Sequence, residues 1–312
     1  MKAVVVTRHG GPEVLEVQDV PEPEPGPGDL LVDVEAIGVN FRDVYEREGG
    51  YGGDPPYVAG AEGAGTVVGT GERVAWKSAP GSYAERVVVP EREAVAIPEG
   101  VSTELAAAVL LQGLTAHYLA TSTYPVQPGD GVVVLAAAGG VGQLLTQIVK
   151  LRGGRVVAAT STDEKAKLAR EAGADEVLGY EGFGERVREL TGGGAAVVYD
   201  GIGRTTFDES LDALRPRGFM VLYGAASGQP EPVPIPKIQA RSLYLTRPQL
   251  HQYTATREEL LERARDVFEW VREGKLEVQI GGRYPLEEAR RAQEDLESRR
   301  TTGKLILLPC GA

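Results

Sequence analysis

A chain of 312 residues is longer than one hydrophobic core usually supports, which predicts two domains. With 42% hydrophobic and 25% charged residues it is neither disordered nor fibrous, and a net charge of −12 without a basic run argues against nucleic acid as a partner. One cysteine, Cys310, excludes an internal disulfide and any multi-cysteine metal site, and three histidines leave little for a His-rich metal centre.

The N-terminal apolar run, residues 3–6, is too short for a signal-peptide core and is soon broken by Arg8, His9 and Gly10. Valine-rich runs at residues 3–7, 30–34, 65–68 and 86–89, punctuated by Gly and Pro, predict a β-rich opening. The segment 21–28 (PEPEPGPG) reads as a stiff connection between two strands of one domain. Residues 104–121 are Ala/Leu-rich at helical spacing, with an interruption expected at Gly113. No apolar run approaches the roughly 18 residues of a membrane span. A soluble, cytoplasmic protein with no membrane partner is the expectation.

After residue 130 the chain alternates. Strands are predicted at 132–136, 155–159, 176–180, 195–200, 219–223 and 242–246, with helices at 141–151, 164–171, 183–190 and 206–214 between them. Strands apolar on both faces and separated by helices indicate a parallel sheet covered by helices, an α/β fold. The last stretch, 257–304, carries alternating Glu and Arg. It predicts solvated helices at 257–273 and 286–298 around a short strand near 277–280, then a final strand at 304–308.

The first strand of the alternating region runs into residues 136–142 (AAAGGVG) and then into a helix. This is G-x-G-x-x-G with Ala137 at the first glycine, and its strand–turn–helix context points to a dinucleotide. Ala138, Gly139, Gly140, Val141 and Gly142 would let the backbone approach a pyrophosphate at a helix N-terminus. An NAD site wants a carboxylate about 20 residues further on to accept from the ribose hydroxyls. That stretch, residues 158–162 (AATST), has none. Asp163 and Glu164 read as the acidic first turn of the next helix, with Ser161 and Glu164 at capping-box spacing. Ser161 and Lys165 suit a 2′-phosphate, so NADPH is predicted as the cofactor.

Together with this fingerprint, segments 9–15 (HGGPEVL), 36–43 (AIGVNFRD), 113–115 (GLT), 198–200 (VYD), 245–248 (LTRP) and 296–299 (LESR) carry a resemblance. The chain resembles the medium-chain dehydrogenase/reductase superfamily, and within it the zinc-free quinone oxidoreductases related to zeta-crystallin. The resemblance implies a Rossmann doubly wound parallel sheet at residues 113–256. It implies a β-rich, GroES-like catalytic domain from residues 1–112 and 257–312. Zinc-dependent relatives place a ligand Cys in Gly-Val-Cys-x-x-Asp and a ligand His in Gly-His-Glu. Here those positions are Asn40 and Ala61, and the third falls near Gln112. Without a Lewis acid, alcohol dehydrogenation is not expected. Direct transfer of a hydride to an electron-poor acceptor, a quinone or a conjugated enone, is what remains.

By the same resemblance Asn40, the chain's single asparagine, would donate to a quinone oxygen or meet the cofactor, and Tyr45 would line the nicotinamide end. Thr115 would sit against the cofactor, Tyr180 beside its adenosine, and Gly224 and Ser227 in the loop after the fifth strand. Arg299 would reach the phosphates, and residues 46–57 would shape the acceptor pocket. Asp43 and Glu62 read as structural. His9, His117 and His251 form no catalytic pattern, Cys310 has no activating context, and no G-x-S-x-G elbow is present. Segment 242–246 resembles the edge by which family members pair, so a homodimer is expected. An NADPH-dependent quinone reductase leads. An NADPH-dependent reductase of 2-alkenals or enones and a non-catalytic NADPH-binding protein are the alternatives. Scarce Asn, Cys and Met with abundant Arg and Glu point to selection for heat.

Overall fold

A computed structural model describes residues 1–50, 53–298 and 301–309. The chain divides into two compact units, one of residues 1–112, 256–274 and 278–312 and one of residues 113–255 and 275–277. The valine runs of the opening form β1 (Lys2–Val6), β2 (Leu15–Asp19) and β3 (Asp29–Val39), followed by a short helix, α1 (Phe41–Arg47). Then come β4 (Tyr57–Val58), β5 (Glu62–Val67), β6 (Arg73–Trp76), β7 (Arg86–Pro90) and β8 (Ala94–Ala96). As expected, the Pro-rich segment 21–28 joins two strands of one unit, β2 and β3.

Helix α2 (Thr103–Tyr118) runs through Gly113 without a break and passes into a π-turn, Leu119–Thr123. The expected interruption fails because Leu110, Leu114 and Ala116 around Gly113 are fully buried. Packing of this kind outweighs the ~1 kcal/mol by which glycine disfavours a helix. By length and composition the stretch Thr103–Thr123 is also apolar enough to cross a membrane, which the short apolar runs of the sequence did not suggest, but 67% of its most apolar 18 residues are buried inside the chain. It is a core helix.

The second unit continues with β9 (Gly131–Leu135), α3 (Gly140–Leu151), β10 (Arg155–Ala159), α4 (Asp163–Glu171) and β11 (Glu176–Leu178). It goes on through α5 (Phe183–Thr191), β12 (Ala195–Asp200), α6 (Phe207–Asp212), β13 (Leu214–Leu222), α7 (Ile235–Gln239) and β14 (Tyr244–Thr246). All six strands are parallel, in the order β11-β10-β9-β12-β13-β14. Counted within the unit this is 3-2-1-4-5-6, the doubly wound dinucleotide arrangement. Its core packs Val133, Leu135, Val157, Val198 and Met220 against Phe183, Val187 and Leu211 of the helices.

The chain then returns to the first unit as α8 (Arg257–Arg272), β15 (Ile280–Pro285), α9 (Ala289–Glu297) and β16 (Lys304–Leu308). The strand expected near 277–280 begins only at Ile280. The helix expected from 286 starts at Ala289, behind a 3-10 turn, Leu286–Glu288. This unit holds a largely antiparallel sheet ordered β15-β16-β3-β5-β6-β8, with β7 also paired to β3, and a smaller sheet β2-β1-β4. Val4, Val32, Ile37, Trp76, Tyr83, Leu305 and Leu307 fill its core.

Candidate functional site

In the second unit the candidate residues cluster at one end of the sheet because every strand points the same way. β9 ends in a turn in which Ala136, at φ 52, takes the left-handed conformation and Gly139 N–H donates to Ala136 O at 2.9 Å. The strained position is thus one residue before the fingerprint's first glycine site, and Ala137 is fully buried beside it. Gly139 caps α3 and is exposed. A Cβ on Gly142 would stand 2.3 Å from Ala136 O and 2.8 Å from Ala137 Cα, so only glycine lets the helix pack this close to the strand end. Gly140, Val141 and Gly142 are the first three helical residues, whose N–H groups have no partner within a helix. A pyrophosphate fits this cradle.

The residues directly beyond β10, Thr160, Ser161 and Thr162, carry no carboxylate; Asp163 and Glu164 open α4. Thr162, not Ser161, caps α4 by accepting from Lys165 N–H; with lysine at the third helical position, the expected capping box of Ser161 and Glu164 does not form. The chain is still extended at Thr162 (φ −145, ψ 161), which puts the first helical N–H groups within its reach and not within that of Ser161. Glu164 is engaged at the helix start, where bonds from its own N–H and the Thr162 hydroxyl hold its carboxyl below the usual range. Ser161 and Lys165 come together on the outside, with Nζ 3.4 Å from Oγ. Tyr180 follows β11 and is half-buried against the core. Thr115 lies half-buried on α2.

Sequence reasoning assigned no role to the residue that organises the loops after β12 and β13. Buried Asp200 accepts from the N–H groups of Ile202 (2.7 Å) and Gly203 (2.9 Å) and from the hydroxyls of Thr206 (2.8 Å) and Ser210 (2.9 Å). Burial pushes its carboxyl up against these four bonds, which pull it down. Ser227 ties the two loops together, donating to Ile202 O at 2.8 Å and accepting from Thr205 N–H at 3.1 Å. A Cβ on Gly224 would be 2.6 Å from Gly201 O, so the loops touch backbone to backbone there.

The first unit carries a second set of candidates around α1. Asn40 N–H donates to Asp43 Oδ2 (2.9 Å), which also accepts from the Tyr83 hydroxyl (3.0 Å). At the other end of α1, buried Arg47 donates to Gly10 O (3.0 Å) and Gln293 Oε1 (2.7 Å) and pairs with Glu297. The helix is therefore pinned at both ends, and half-buried Tyr45 rides on it, 6.2 Å from the Phe41 ring. Asn40 donates to Gly38 O and Glu62 Oε2 and accepts from Lys304 Nζ. Both of its amide N–H groups are engaged, which leaves none for a quinone oxygen. Zinc does not fit here: the amide is committed, Ala61 offers no donor atom, and the Lys304 ammonium stands 2.7 Å from Asn40 Oδ1. Lys304, Arg47 and Tyr83 were missed as site residues; the one signal was a lysine heading an otherwise apolar strand. Arg299 lies outside the described residues, as do Cys310 and two residues of the 46–57 loop.

Comparison with known proteins agrees with this architecture. Residues 140–266 match the zinc-binding dehydrogenase family, and residues 26–99 match the alcohol dehydrogenase GroES-like domain. The chain is 42% identical to a quinone oxidoreductase of Pseudomonas aeruginosa over 99% of each chain. It is 38% identical to a 2-haloacrylate reductase of a Burkholderia species over 98% of each. Among solved structures, a mycobacterial protein complexed with NADPH superposes with a TM-score of 0.96 at 48% identity, covering 99% of this chain and 100% of that one. Escherichia coli quinone oxidoreductase complexed with NADPH superposes with a TM-score of 0.96 at 38% identity, with the same coverage. The family model named for zinc binding covers residues 140–266 and includes neither Asn40 nor Ala61, the positions at which the sequence resemblance implies ligands in zinc-dependent relatives. On its fold, its strand order and these full-length likenesses, the chain belongs to the zinc-free quinone oxidoreductase family of the medium-chain dehydrogenase/reductase superfamily.

Proposed function

We propose that the protein is an NADPH-dependent reductase whose acceptor is a quinone. One observation carries the reading: a glycine cradle opens α3 at the end of β9, while the end of β10 offers Ser161 and Lys165 in place of a carboxylate. The cradle's N–H groups hold a pyrophosphate, and a hydroxyl with an ammonium suits a 2′-phosphate better than two ribose hydroxyls. The NADPH complexes of the two solved relatives support this choice. When bound, the cofactor supplies a hydride to an acceptor that delocalises the incoming charge itself. Tyr180, Thr115, Gly224 and Ser227 belong to the cofactor side of the site, and Arg299 to its phosphates. Tyr45 offers its hydroxyl to the acceptor oxygen, and Asn40 contacts the cofactor. A second reading, reduction of an activated alkene, draws on the likeness to the 2-haloacrylate reductase. We infer as well that two copies pair through the free edge of β14.

Steady-state kinetics tests the reading. We expect kcat/KM at least ~10-fold higher with NADPH than with NADH, a difference of about 1.4 kcal/mol. ortho-Quinones should be reduced and 2-alkenals should not. Turnover of alkenals alone moves the assignment to the second reading, and a preference for NADH removes the role of Ser161 and Lys165. Tyr45→Phe should lower turnover ~10-fold or more while leaving the NADPH Kd within about twofold. Equal turnover would retire Tyr45.

A further inference from the structure

Three groups of its own unit hold the Asn40 side chain. Nδ2 donates to Gly38 O at 3.2 Å and Glu62 Oε2 at 2.8 Å, and Oδ1 accepts from Lys304 Nζ at 2.7 Å. Lys304 Nζ is also 2.5 Å from Glu62 Oε2, and the other Glu62 oxygen accepts from Leu111 N–H at 2.7 Å. The side chains of Lys304 and Glu62 are 1% and 0% exposed. Gly38 makes room for the pair: a Cβ there would stand 2.2 Å from Glu62 Oε2 and 2.8 Å from Lys304 Cε. An ammonium has only donors and a carboxylate only acceptors. The amide therefore fits one way round, oxygen to the lysine and nitrogen to the glutamate.

We propose that the buried Lys304–Glu62 pair is a positioning device that fixes the sense of the Asn40 amide, so that Asn40 meets a ligand as an acceptor and never as a donor. With both N–H groups committed, the remaining capacity is the second lone pair of Oδ1. Its complement is an N–H or O–H of the ligand, such as the carboxamide or a ribose hydroxyl of a nicotinamide nucleotide, and not a quinone carbonyl. This ligand assignment rests on the reading of the protein as an NADPH-dependent reductase; the lock on the amide does not.

Because Asn40 is the single asparagine, selective labelling with 15N-asparagine gives one side-chain amide pair and reads it directly by NMR. In the apoprotein that pair should be non-degenerate and exchange with solvent at least ~100-fold more slowly than a free amide. Lys304→Met should shift the pair and speed its exchange ~10-fold or more. Lys304→Met leaves Glu62 without its cation, so the uncharged pair Lys304→Met/Glu62→Gln is measured beside it, with the same release expected. An amide pair unchanged in shift and exchange in either folded variant overturns the lock. NADPH should move the wild-type pair, and Asn40→Ala should raise the NADPH Kd ~10-fold. A quinone added alone that shifts the amide protons as a hydrogen-bond acceptor would overturn the acceptor-only role. The acceptor panel on wild-type protein judges quinone reduction separately: no quinone turnover with the lock intact removes that function and leaves the positioning pair standing.

Discussion

Asp43, in the first turn of α1, is 3% exposed, and burial pushes its carboxyl up to about 6, partly offset by the Asn40 N–H, Arg42 and Tyr83. Its value in the unfolded chain is near 3.8. Between those two pH values the folded chain holds a proton that the unfolded chain has released. The protein therefore loses stability as pH rises through this window, by at most ~1.4 kcal/mol per pH unit, and the loss stays constant above it. Asp43→Asn should remove that slope, so urea unfolding from pH 4.5 to 7.5 should show the variant gaining on wild type as pH rises. Parallel curves would place the ionisation elsewhere. Gly142→Ala tests the cradle: its new Cβ meets backbone, not a flexible side chain, so the turn must move. NADPH affinity should fall ~10-fold or more in fluorescence titration, and an unchanged Kd would mean that the turn does not hold the phosphates. Both Asn40 and Gly142 could be singled out in the sequence. What holds Asn40 could not, because Lys304 lies 264 residues away and reaches it only through the register Leu305↔Val39 and Ile306↔Gly38 between β16 and β3.

At the level of elements, the β9–turn–α3 unit is legible because its signals are local: a continuous apolar strand, small turn residues, then helical periodicity. The short strands β4, β6 and β8 are not, since two to four residues carry too little periodicity to register and are strands only by pairing with neighbours in the sheets. The Asp200 cage falls between these cases. Its donors lie within ten residues, yet nothing in the sequence says that four of them converge on one carboxylate. Asp200→Ala would leave the N–H groups of Ile202 and Gly203 and the Ser210 hydroxyl without their acceptor, and Thr206 with only Gly203 O at 3.2 Å. We expect a loss of ~3 kcal/mol or more in urea unfolding, together with weaker NADPH binding because the loops bearing Gly201, Gly224 and Ser227 lose their anchor. Full stability with unchanged NADPH affinity would show that the loops hold themselves.

Across the whole molecule, the dinucleotide unit follows from strand–helix alternation. The first unit does not, because its main sheet draws strands from residues 29–96 and 280–308 into one largely antiparallel sheet. Its surface carries linked ion pairs, including Arg86 with both Asp33 and Glu22, and Arg291 with both Glu288 and Asp295. Single exposed pairs contribute little, but networks retain their value on heating. With scarce Asn, Cys and Met, they lead us to expect a Tm above the ~45–65 °C of mesophilic domains by calorimetry, and a Tm inside that range would refute selection for heat. The parallel sheet raises the last question. Among the described residues β14 is the last strand of this sheet, and its Tyr244 and Leu245 are 54% and 38% exposed. Tyr244 is held upright by stacking on Phe219 at 4.4 Å between centroids. Such an edge recruits a strand unless it is charged or covered, and three uncharged residues, Tyr-Leu-Thr, offer no such protection. We propose that a second copy related by a two-fold axis would supply the same edge in reverse, which would extend the sheet and bury both tyrosines. Sedimentation should therefore give twice the 33.2 kDa chain mass. Leu245→Lys, at a position already open to solvent, should shift the protein toward monomer without lowering NADPH affinity. A wild-type monomer, or a dimer indifferent to lysine at 245, would send the search for the interface to another surface.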